Sequence, residues 1–585
     1  MPARRMLDPS DISPSLRSLG LGVAVALVAF AVYVVPTVDT PFYTKGEARE
    51  AVLVQAMAQS GNYVLPLRNG TEIPSKPPLF HWLGALASVG AGGVTEAATR
   101  LPSVLAAAIA LGMTAWLGQR WFGSAAGIVA AVISGSSVTF FVSATTARVD
   151  MVLAAAVTIA LVWFQADYSG ERRGLPRGYH AAVAAAVLAK GPIGFVLPWT
   201  IVVVTLAMFR DRDYAARLAP GRALAWLALP AIWYLAAFFV AGDGFVAKQI
   251  IQENFQRLVD AEAGATGHVK PFYAHLPLLL GGVAPWTLLA PVAVVYAVRE
   301  AWATKNRSLV LLLVWLIVPL VVLSFAGSKR AVYLLPSYPA VGLIVGWWWT
   351  RPHGFTADAI ARAAKLWTSV VAATALLLSL PLLVLLLQSA GLPIHRAIAP
   401  LMSEGDQANL QAVARALSDG RIAIVPGVLV LLGLAMGLVA MARRRRWRHA
   451  IAVVAILAAS GIAGGSVTLQ RAIARTQTVA PFVEGVAWVA PSDSRWGFYR
   501  GVSYPVAFYA GRPVPEVASP LELPGDRPAV IFATGEDVAD LLEVSLRSGR
   551  QAAEIGRFTF ADNPERVPLV AFSLSAATGN IPDHR

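Results

Sequence analysis

The sequence lacks cysteine and has little charge. None of its 585 residues is Cys, only 14% are Asp, Glu, Lys or Arg, and 56% are hydrophobic. Without cysteine, disulfides, thiol nucleophiles and thiolate metal sites are excluded. A mean hydropathy of +0.60 excludes an ordinary soluble domain. The chain is therefore predicted to be a membrane protein.

Acidic residues are also scarce relative to basic ones, 34 against 48, which gives a formal net charge of +14. Such a balance often indicates nucleic-acid binding. Here many basic residues lie in short loops between apolar runs, as in the run Arg443 to Arg446. Short basic loops beside spans are typical of the cytoplasmic side, where they face anionic lipids. We expect membrane lipids as partners and no nucleic acid.

Long apolar runs recur along the chain. At 1.5 Å per helical residue, about 20 residues cross the roughly 30 Å hydrocarbon layer. The predicted spans cover residues 19–36, 100–117, 125–142, 149–167, 222–241, 275–297, 307–325, 331–349, 366–388, 423–441 and 449–467. The segment 179–208 is predicted to be two short spans broken at Lys190-Gly191-Pro192, because both flanking loops are basic and belong in the cytoplasm. The total is about thirteen spans, the first retained rather than cleaved, with the N-terminus inside and the C-terminus outside.

Two domains are predicted, a transmembrane domain over residues 1–470 and an extracytoplasmic α/β domain over 471–585. The outer loop 37–99 is expected to hold interfacial amphipathic helices at 47–60 and 77–89, and a further helix is expected within the outer segment 389–422. In the C-terminal domain, strands are expected at "RWGFYRG", "PVAFYAGRPV" and "PAVIFATG", and a helix at "EDVADLLEVSLRSG". The predicted fold class is thus a polytopic α-helical membrane protein with a small C-terminal α/β domain.

Charged motifs on the outer side are not explained by topology. They are "KGEARE" (45–50), "SKPPLFHW" (75–82), "ARVDM" (147–151), "AKGP" (189–192), "ENFQRL" (253–258), "GHVKPFY" (267–273) and "GSKRAVYLLPSYP" (327–339). Their concentration on one face of a membrane protein indicates a polar functional site.

Lys329 and Arg330 lie between two apolar runs, where positive charge on the outer side is disfavoured. Together with the Tyr333 hydroxyl they can bind a phosphate, although interfacial anchoring is an alternative. For Lys190 and Asp150, a functional and a purely structural role are both open. A Lys in a hairpin can snorkel to the interface, and an Asp at the start of a span interacts favourably with the helix dipole.

Two histidines occur in these motifs. His268 is interpreted as a loop histidine rather than a metal ligand, and His81 as a packing residue.

The order and spacing of these motifs resemble a known family. The similarity runs through "SGNYVLPLRNGTEIPSKPPLFHWLGAL", "ARVDMVLAAA", "LAKGPIGFVLP", "HVKPFYAHLPLLLGGVAPWTLLAP" and "SKRAVYLLPSYPAVGLIVG". They resemble integral-membrane glycosyltransferases of the GT-C class, which use polyprenyl-phosphate sugars. Within that class the chain is similar to bacterial aminoarabinose transferases that modify lipid A and to protein mannosyltransferases. The resemblance covers nearly the whole chain and implies a GT-C fold.

The resemblance implies an active site in the first outer loop. The family opens this loop with an Asp-Glu pair, whereas this chain has Gly46-Glu47. Glu47 is then the expected catalytic carboxylate, with Asp150 second and Glu50 in reserve. The alternative is that Glu47 and Glu50 only begin an amphipathic helix at its acidic end.

A metal site implied by the resemblance is incomplete. Aminoarabinose-type members commonly have Glu before Lys-Pro-Pro, and this chain has Ser75. If the family's site uses that Glu with the histidine matched by His268, only half of it is present. We expect no tightly bound divalent metal as a cofactor.

The chemistry implied is an inverting displacement at the anomeric carbon of an undecaprenyl-phosphate sugar donor. Cations stabilise the departing phosphate, and a carboxylate orients or deprotonates the acceptor. The expected donor phosphate-binding residues are Lys76, Arg49, Lys329, Arg330 and Tyr333, supported by His268, Lys190 and Glu50. The expected acceptor is lipid A or another envelope glycan, at the bacterial inner membrane.

Two alternatives remain from the sequence. One is a protein O-glycosyltransferase of the mannosyltransferase type. The other is a non-catalytic transporter or binder of lipid-linked sugars, against which stand the long outer loops and the lack of a visible internal repeat. The absence of a Gly-rich nucleotide cradle favours a lipid-linked donor over a nucleotide sugar.

Overall fold

The computed structural model describes residues 16–170, 172–218, 220–256, 271–351, 471–523, 527–559 and 567–575, with isolated positions between 366 and 440. The spans predicted at 366–388, 423–441 and 449–467 lie outside the described residues, apart from those isolated positions. The helix predicted within 389–422 lies outside them as well.

Helices build the membrane part. They are α1 (Leu16–Val34), α2 (Lys45–Ser60), α3 (Leu79–Gly90), α4 (Glu96–Phe122), α5 (Ser124–Gly135), α6 (Val138–Ala144), α7 (Val149–Ser169), α8 (Arg177–Lys190), α9 (Ile193–Phe209), α10 (Arg212–Ala216), α11 (Pro220–Phe245), α12 (His275–Gly282), α13 (Leu289–Thr304), α14 (Arg307–Ser324) and α15 (Tyr338–Thr350). Helix α11 kinks at Gly242 and continues into a π-helix, Val246–Gln256. The turn Ala331–Ser337, a 3₁₀ helix, leads into α15.

The described part of the chain has six helical segments long and apolar enough to cross a membrane, or seven if a bent pair counts as one span. They are Leu19–Thr37, Glu96–Phe122, Val149–Ser169, Ala223–Glu253, Arg307–Ser324 and Ala331–Thr350, with α5 and α6 as the bent pair. The protein is therefore a multi-pass membrane protein. The predicted total of about thirteen spans stays a prediction.

Two predicted spans are wrong as single helices. Segment 125–142 is broken into α5 and α6, which are bent by 75°, and segment 275–297 is broken into α12 and α13. The two breaks face each other, because the Val138 N–H donates to the Ala284 carbonyl at 3.0 Å and the Trp286 indole donates to Ser136 Oγ at 3.0 Å. Irregular backbone is tolerated within a membrane where protein groups satisfy it.

The break predicted at Lys190-Gly191-Pro192 is present. Helix α8 ends at Lys190, Gly191 follows with a φ of 78°, and α9 begins at Ile193. A positive φ favours glycine at this position.

Small residues bring the spans into close contact. A Cβ atom on Gly118 of α4 would lie 2.7 Å from the Gly127 Cα atom of α5. A Cβ atom on Gly112 would likewise lie 2.7 Å from the carbonyl oxygen of Gly22 in α1. Membrane helices commonly use such small residues, because the backbones then approach closely enough for extensive van der Waals contact.

The C-terminal region forms a sheet domain. Its elements are α16 (Arg471–Gln477), α17 (Ala480–Val489), β1 (Arg495–Tyr499), α18 (Tyr504–Ala510), β2 (Glu516–Val517), β3 (Ala529–Thr534), α19 (Val538–Arg547), β4 (Ala552–Phe558) and β5 (Leu569–Leu574). The strand order is β2-β1-β3-β5-β4. The β1 strand is parallel to β2 and β3, whereas β5 is antiparallel to β3 and β4.

One strand prediction in this domain is wrong. The segment "PVAFYAGRPV" begins with helix α18 rather than a strand. Pro505 occupies the first turn, where its missing N–H costs nothing, and Gly511 ends the helix with a φ of 65°. Val506 and Phe508 of this helix pack in one cluster with Ala51 of α2. The apolar side chains of this segment therefore pack against α2.

Candidate active site

Glu47 of α2 lies in a buried ion pair. Its Oε1 atom accepts from Arg100 Nε at 2.8 Å and from the Ala147 N–H at 3.0 Å, while Oε2 accepts from Arg100 Nη2 at 3.2 Å. Both side chains of the pair are only 1% exposed. Burial raises the pKa of Glu47, but the charge and hydrogen bonds of Arg100 and the Ala147 N–H outweigh it, so the pKa is lowered.

The same carboxylate connects α2 to the start of α7. Arg100 also donates to the Thr40 carbonyl at 2.5 Å, which fixes the chain just before α2. Ala147 is three residues before Asp150, which lies in the first turn of α7. Glu47 thereby sets the position of the segment that carries Asp150.

Glu50 lies one turn further along α2 and is also fully paired. Arg49 donates to Glu50 Oε1 through Nη2 at 2.7 Å and through Nε at 3.1 Å, and His81 Nε2 lies 2.8 Å from Glu50 Oε2. Burial raises the pKa of Glu50, but Arg49 and His81 hold it well below its ordinary value. The His81 side chain is buried, as expected for a packing residue, but it also contacts Glu50, which the sequence did not predict.

Lys76 meets a carboxylate from the π-helix. Its Nζ atom lies 2.8 Å from Glu253 Oε2, and the two side chains are 16% and 7% exposed. The charge of Glu50 raises the pKa of Arg49 most strongly, and the charge of Glu253 adds to that effect. Two of the predicted phosphate-binding cations are thus paired with carboxylates, Lys76 with Glu253 and Arg49 with Glu50.

Asp150, Lys190 and Tyr333 form a second group. Lys190 of α8 makes an ion pair with Asp150 of α7. The Lys190 Nζ atom also lies 4.0 Å from the centre of the Tyr333 ring, a cation–π distance. The structure therefore brings together three predicted residues that are far apart in the sequence.

Lys329 and Arg330 precede the turn that carries Tyr333. Lys329 is 5% exposed, and its Nζ atom donates to the Ala326 carbonyl at 2.8 Å. The Arg330 Nε atom is buried and has no hydrogen-bond partner among the described residues. Of these two cations, Arg330 retains a buried donor available to a ligand.

The C-terminal domain reaches this loop. The Tyr504 hydroxyl donates to Glu72 Oε2 at 2.9 Å, and its ring lies under Arg68 at 5.3 Å and Lys45 at 5.9 Å. Asn69 pairs with the Val514 backbone, donating to its carbonyl at 2.6 Å and accepting from its N–H at 2.7 Å. The C-terminal domain therefore holds the segment that leads to Lys76.

His268 lies outside the described residues. Within the described ranges, no three His, Asp or Glu residues are grouped to hold a metal ion. Metal dependence stays untested.

Sequence reasoning missed three residues of this region: Arg100, Glu253 and Arg148. An Arg within the apolar run 96–122 is a signal of a buried partner, because charge there is expensive. Glu253 and Arg148 stood in quoted motifs but gave no sign of which residues they face.

A family model described as dolichyl-phosphate-mannose-protein mannosyltransferase matches residues 75–234. The structure of ArnT from Cupriavidus metallidurans bound to undecaprenyl phosphate superposes with a TM-score of 0.72, covering 95% of this chain and 98% of that one at 20% identity. The apo form of that ArnT gives a TM-score of 0.71 at 21% identity, covering 96% and 98%. This chain has the ArnT fold.

The ArnT fold confirms the predicted fold class. Among sequence relatives, the undecaprenyl phosphate-alpha-4-amino-4-deoxy-L-arabinose arabinosyl transferase 2 of Sodalis glossinidius is 28% identical over 345 residues, 56% of this chain and 60% of the relative. The corresponding transferase of Pseudomonas aeruginosa strain UCBPP-PA14 is 28% identical over 331 residues, 55% of this chain and 58% of the relative. The alignments with these curated relatives thus span about 60% of the relatives' length.

Proposed function

We propose that this protein transfers a sugar from an undecaprenyl-phosphate donor to an extracytoplasmic acceptor such as lipid A. The observation that carries the proposal is the Glu253 carboxylate held by Lys76 at 2.8 Å, within an ArnT fold. A predicted phosphate-binding cation already holds an anion there, so a phosphate of the donor suits the same place. The names of the aminoarabinose-transferase relatives support the donor class.

In the proposed reaction, an acceptor oxygen forms a bond to the anomeric carbon and the bond from that carbon to the phosphate oxygen breaks. The phosphate leaves with the electron pair, and Lys76, Arg49 and Arg330 stabilise its charge. If the acceptor is a hydroxyl, its proton passes to a carboxylate. A single displacement inverts the anomeric configuration.

The burial and full pairing of Glu47 favour a positioning role in this reaction. Arg100 holds both oxygens of Glu47, whereas Lys190 pairs with Asp150 through Oδ1. We therefore assign the carboxylate that touches the acceptor to Asp150, with Lys190 as its counter-ion. Lys329, Tyr333 and Lys190 support the phosphate side of the site. Glu50 orients Arg49 through two hydrogen bonds.

The proposal includes the membrane topology. The basic loops support a cytoplasmic N-terminus, and the charged motifs around α2 then lie on the outer face of a bacterial inner membrane.

A protein acceptor is the second candidate, because the family model that matches residues 75–234 describes protein mannosyltransferases. The acceptor is read from the labelled product in the test below.

The test is transfer of radiolabelled sugar from a panel of undecaprenyl-phosphate donors in membranes carrying the wild type, Asp150→Asn or Glu47→Gln. The proposal expects label in lipid A, glycan or protein with the wild type only, and a rate reduced about 100-fold or more by Asp150→Asn with donor binding retained. Donor binding without transfer from any donor would contradict it and would favour a transporter or binder.

A further inference from the structure

Arg148 presents a cation to the first outer loop at the position of Gly46. A Cβ atom on Gly46 would lie 3.5 Å from Arg148 Nη1 and 3.7 Å from Cζ. Because residue 46 has no side chain, none separates the α2 backbone at this position from the Arg148 guanidinium. Arg148 is half-buried and lies two residues before Asp150.

The guanidinium of Arg148 is not engaged in the described part of the chain. Both main-chain polar groups of Arg148 are hydrogen-bonded to Ser103. The Ser103 Oγ atom accepts from the Arg148 N–H at 3.1 Å and donates to the Arg148 carbonyl at 3.3 Å. The side chain makes no hydrogen bond or ion pair there. Its charge acts on Glu47, but Arg100 already holds that carboxylate.

This arrangement differs from that of three other cations around α2. Arg49 is held by Glu50, Lys76 by Glu253 and Arg100 by Glu47. The backbone of Arg148 is held by Ser103, and its half-buried side chain has no carboxylate partner among the described residues. Such an Arg is suited to bind an anion brought by a ligand, because its planar fork matches a phosphate.

We infer that Arg148 binds a phosphate group of a substrate and that glycine at position 46 keeps this cation free. The inference rests on the proposed transferase function, in which either the donor phosphate or a phosphate on the acceptor lipid supplies the group. A carboxylate at position 46 would lie against the guanidinium and compete with that phosphate.

The first experiment compares wild type, Arg148→Gln and Arg148→Lys, all full-length in detergent. Undecaprenyl phosphate is the binding probe, and lipid A with its dephosphorylated form are the acceptors. Arg148→Gln removes a charged hydrogen-bond partner of the phosphate, so either the Kd of undecaprenyl phosphate or the KM for lipid A should rise roughly tenfold. Arg148→Lys keeps the charge and should cause a smaller rise. A rise in the Kd of undecaprenyl phosphate assigns the donor phosphate. A rise in KM for lipid A, absent with the dephosphorylated form, assigns the acceptor phosphate.

A second comparison uses Gly46→Asp and its neutral isostere Gly46→Asn. Gly46→Asp is expected to raise the same constant that Arg148→Gln raises, either the Kd of undecaprenyl phosphate or the KM for lipid A. Gly46→Asn is expected to change that constant much less. Arg495→Gln, at an exposed position in β1, is the control for loss of a positive charge.

The outcomes separate this inference from the proposed function. Wild-type transfer with unchanged constants in Arg148→Gln and Gly46→Asp overturns the inference and leaves the function standing. Binding of undecaprenyl phosphate that depends on Arg148, without transfer from any donor, supports the inference and removes the transferase function. Absence of both binding and transfer in the wild type overturns both.

Discussion

Glu47 and Arg100 are 53 residues apart in the sequence and form an ion pair in which each side chain is 1% exposed. The pair links α2, α4 and the segment before α7, since Glu47 also accepts from the Ala147 N–H. Buried pairs of this kind stabilise little relative to apolar packing, but breaking one leaves an uncompensated charge. That asymmetry gives a clear expectation for the two roles considered for Glu47.

Glu47→Gln is expected to destabilise the protein by about 3 kcal/mol, because Arg100 stays buried without a counter-charge. The measurement is the unfolding midpoint of purified protein in detergent. Glu484→Gln, at an exposed position in α17, is the matched control and should unfold like the wild type. If Glu47→Gln keeps the wild-type midpoint but loses transfer, Glu47 has the direct chemical role that the sequence predicted.

The pH dependence of stability should report Glu50. Its pKa lies below the ordinary value of 4.5, chiefly because the charge of Arg49 and the hydrogen bond of His81 outweigh burial. A carboxyl with a lowered pKa adds stability that is fully present above its unfolded value and is lost as the pH falls through the folded value. Wild-type stability should therefore decline below about pH 4.5 more steeply than that of Glu50→Gln. Parallel pH profiles of the two proteins would show that this pairing is absent in solution.

Glu253 and Lys76 should affect donor affinity in opposite directions. Lys76→Gln removes a cation from the proposed phosphate site and should raise the Kd of undecaprenyl phosphate about tenfold. Glu253→Gln removes the anion that now holds Lys76, so the same Kd should fall. Both constants come from one binding titration of purified protein. A rise in Kd for both variants would mean that the ion pair supports the site instead of competing with the phosphate.

Asn69 should contribute strongly to the contact by which the C-terminal domain holds residues 61–78. Asn69 is 1% exposed and bonds both polar groups of the Val514 backbone, so Asn69→Ala should weaken this contact by about 2 kcal/mol. Hydrogen exchange of residues 61–78 should then increase. Gln59→Ala removes one exposed hydrogen bond to Gly511 at the same interface and should have little effect. Equal exchange in both variants would rule out a bracing role for Asn69.

Much of the architecture could be predicted from the sequence because it depends on composition and local pattern. Apolar length placed the spans at 149–167 and 307–325 close to α7 and α14. Glycine residues at the ends of the two helical patterns correctly predicted where α2 and α3 end. The same rules failed at 125–142 and 275–297, because the two breaks satisfy each other's polar groups across the fold.

The sequence by itself determined that this is a multi-pass membrane protein whose unexplained charges are concentrated in a few short motifs. Composition and hydrophobic length carry that information, since they measure transfer from water to hydrocarbon. Only the tertiary structure decided which charge meets which. Glu47 faces Arg100, Lys76 faces Glu253 and Asp150 faces Lys190. These contacts join distant helices, so pairing follows from helix packing, which no local pattern in the chain records.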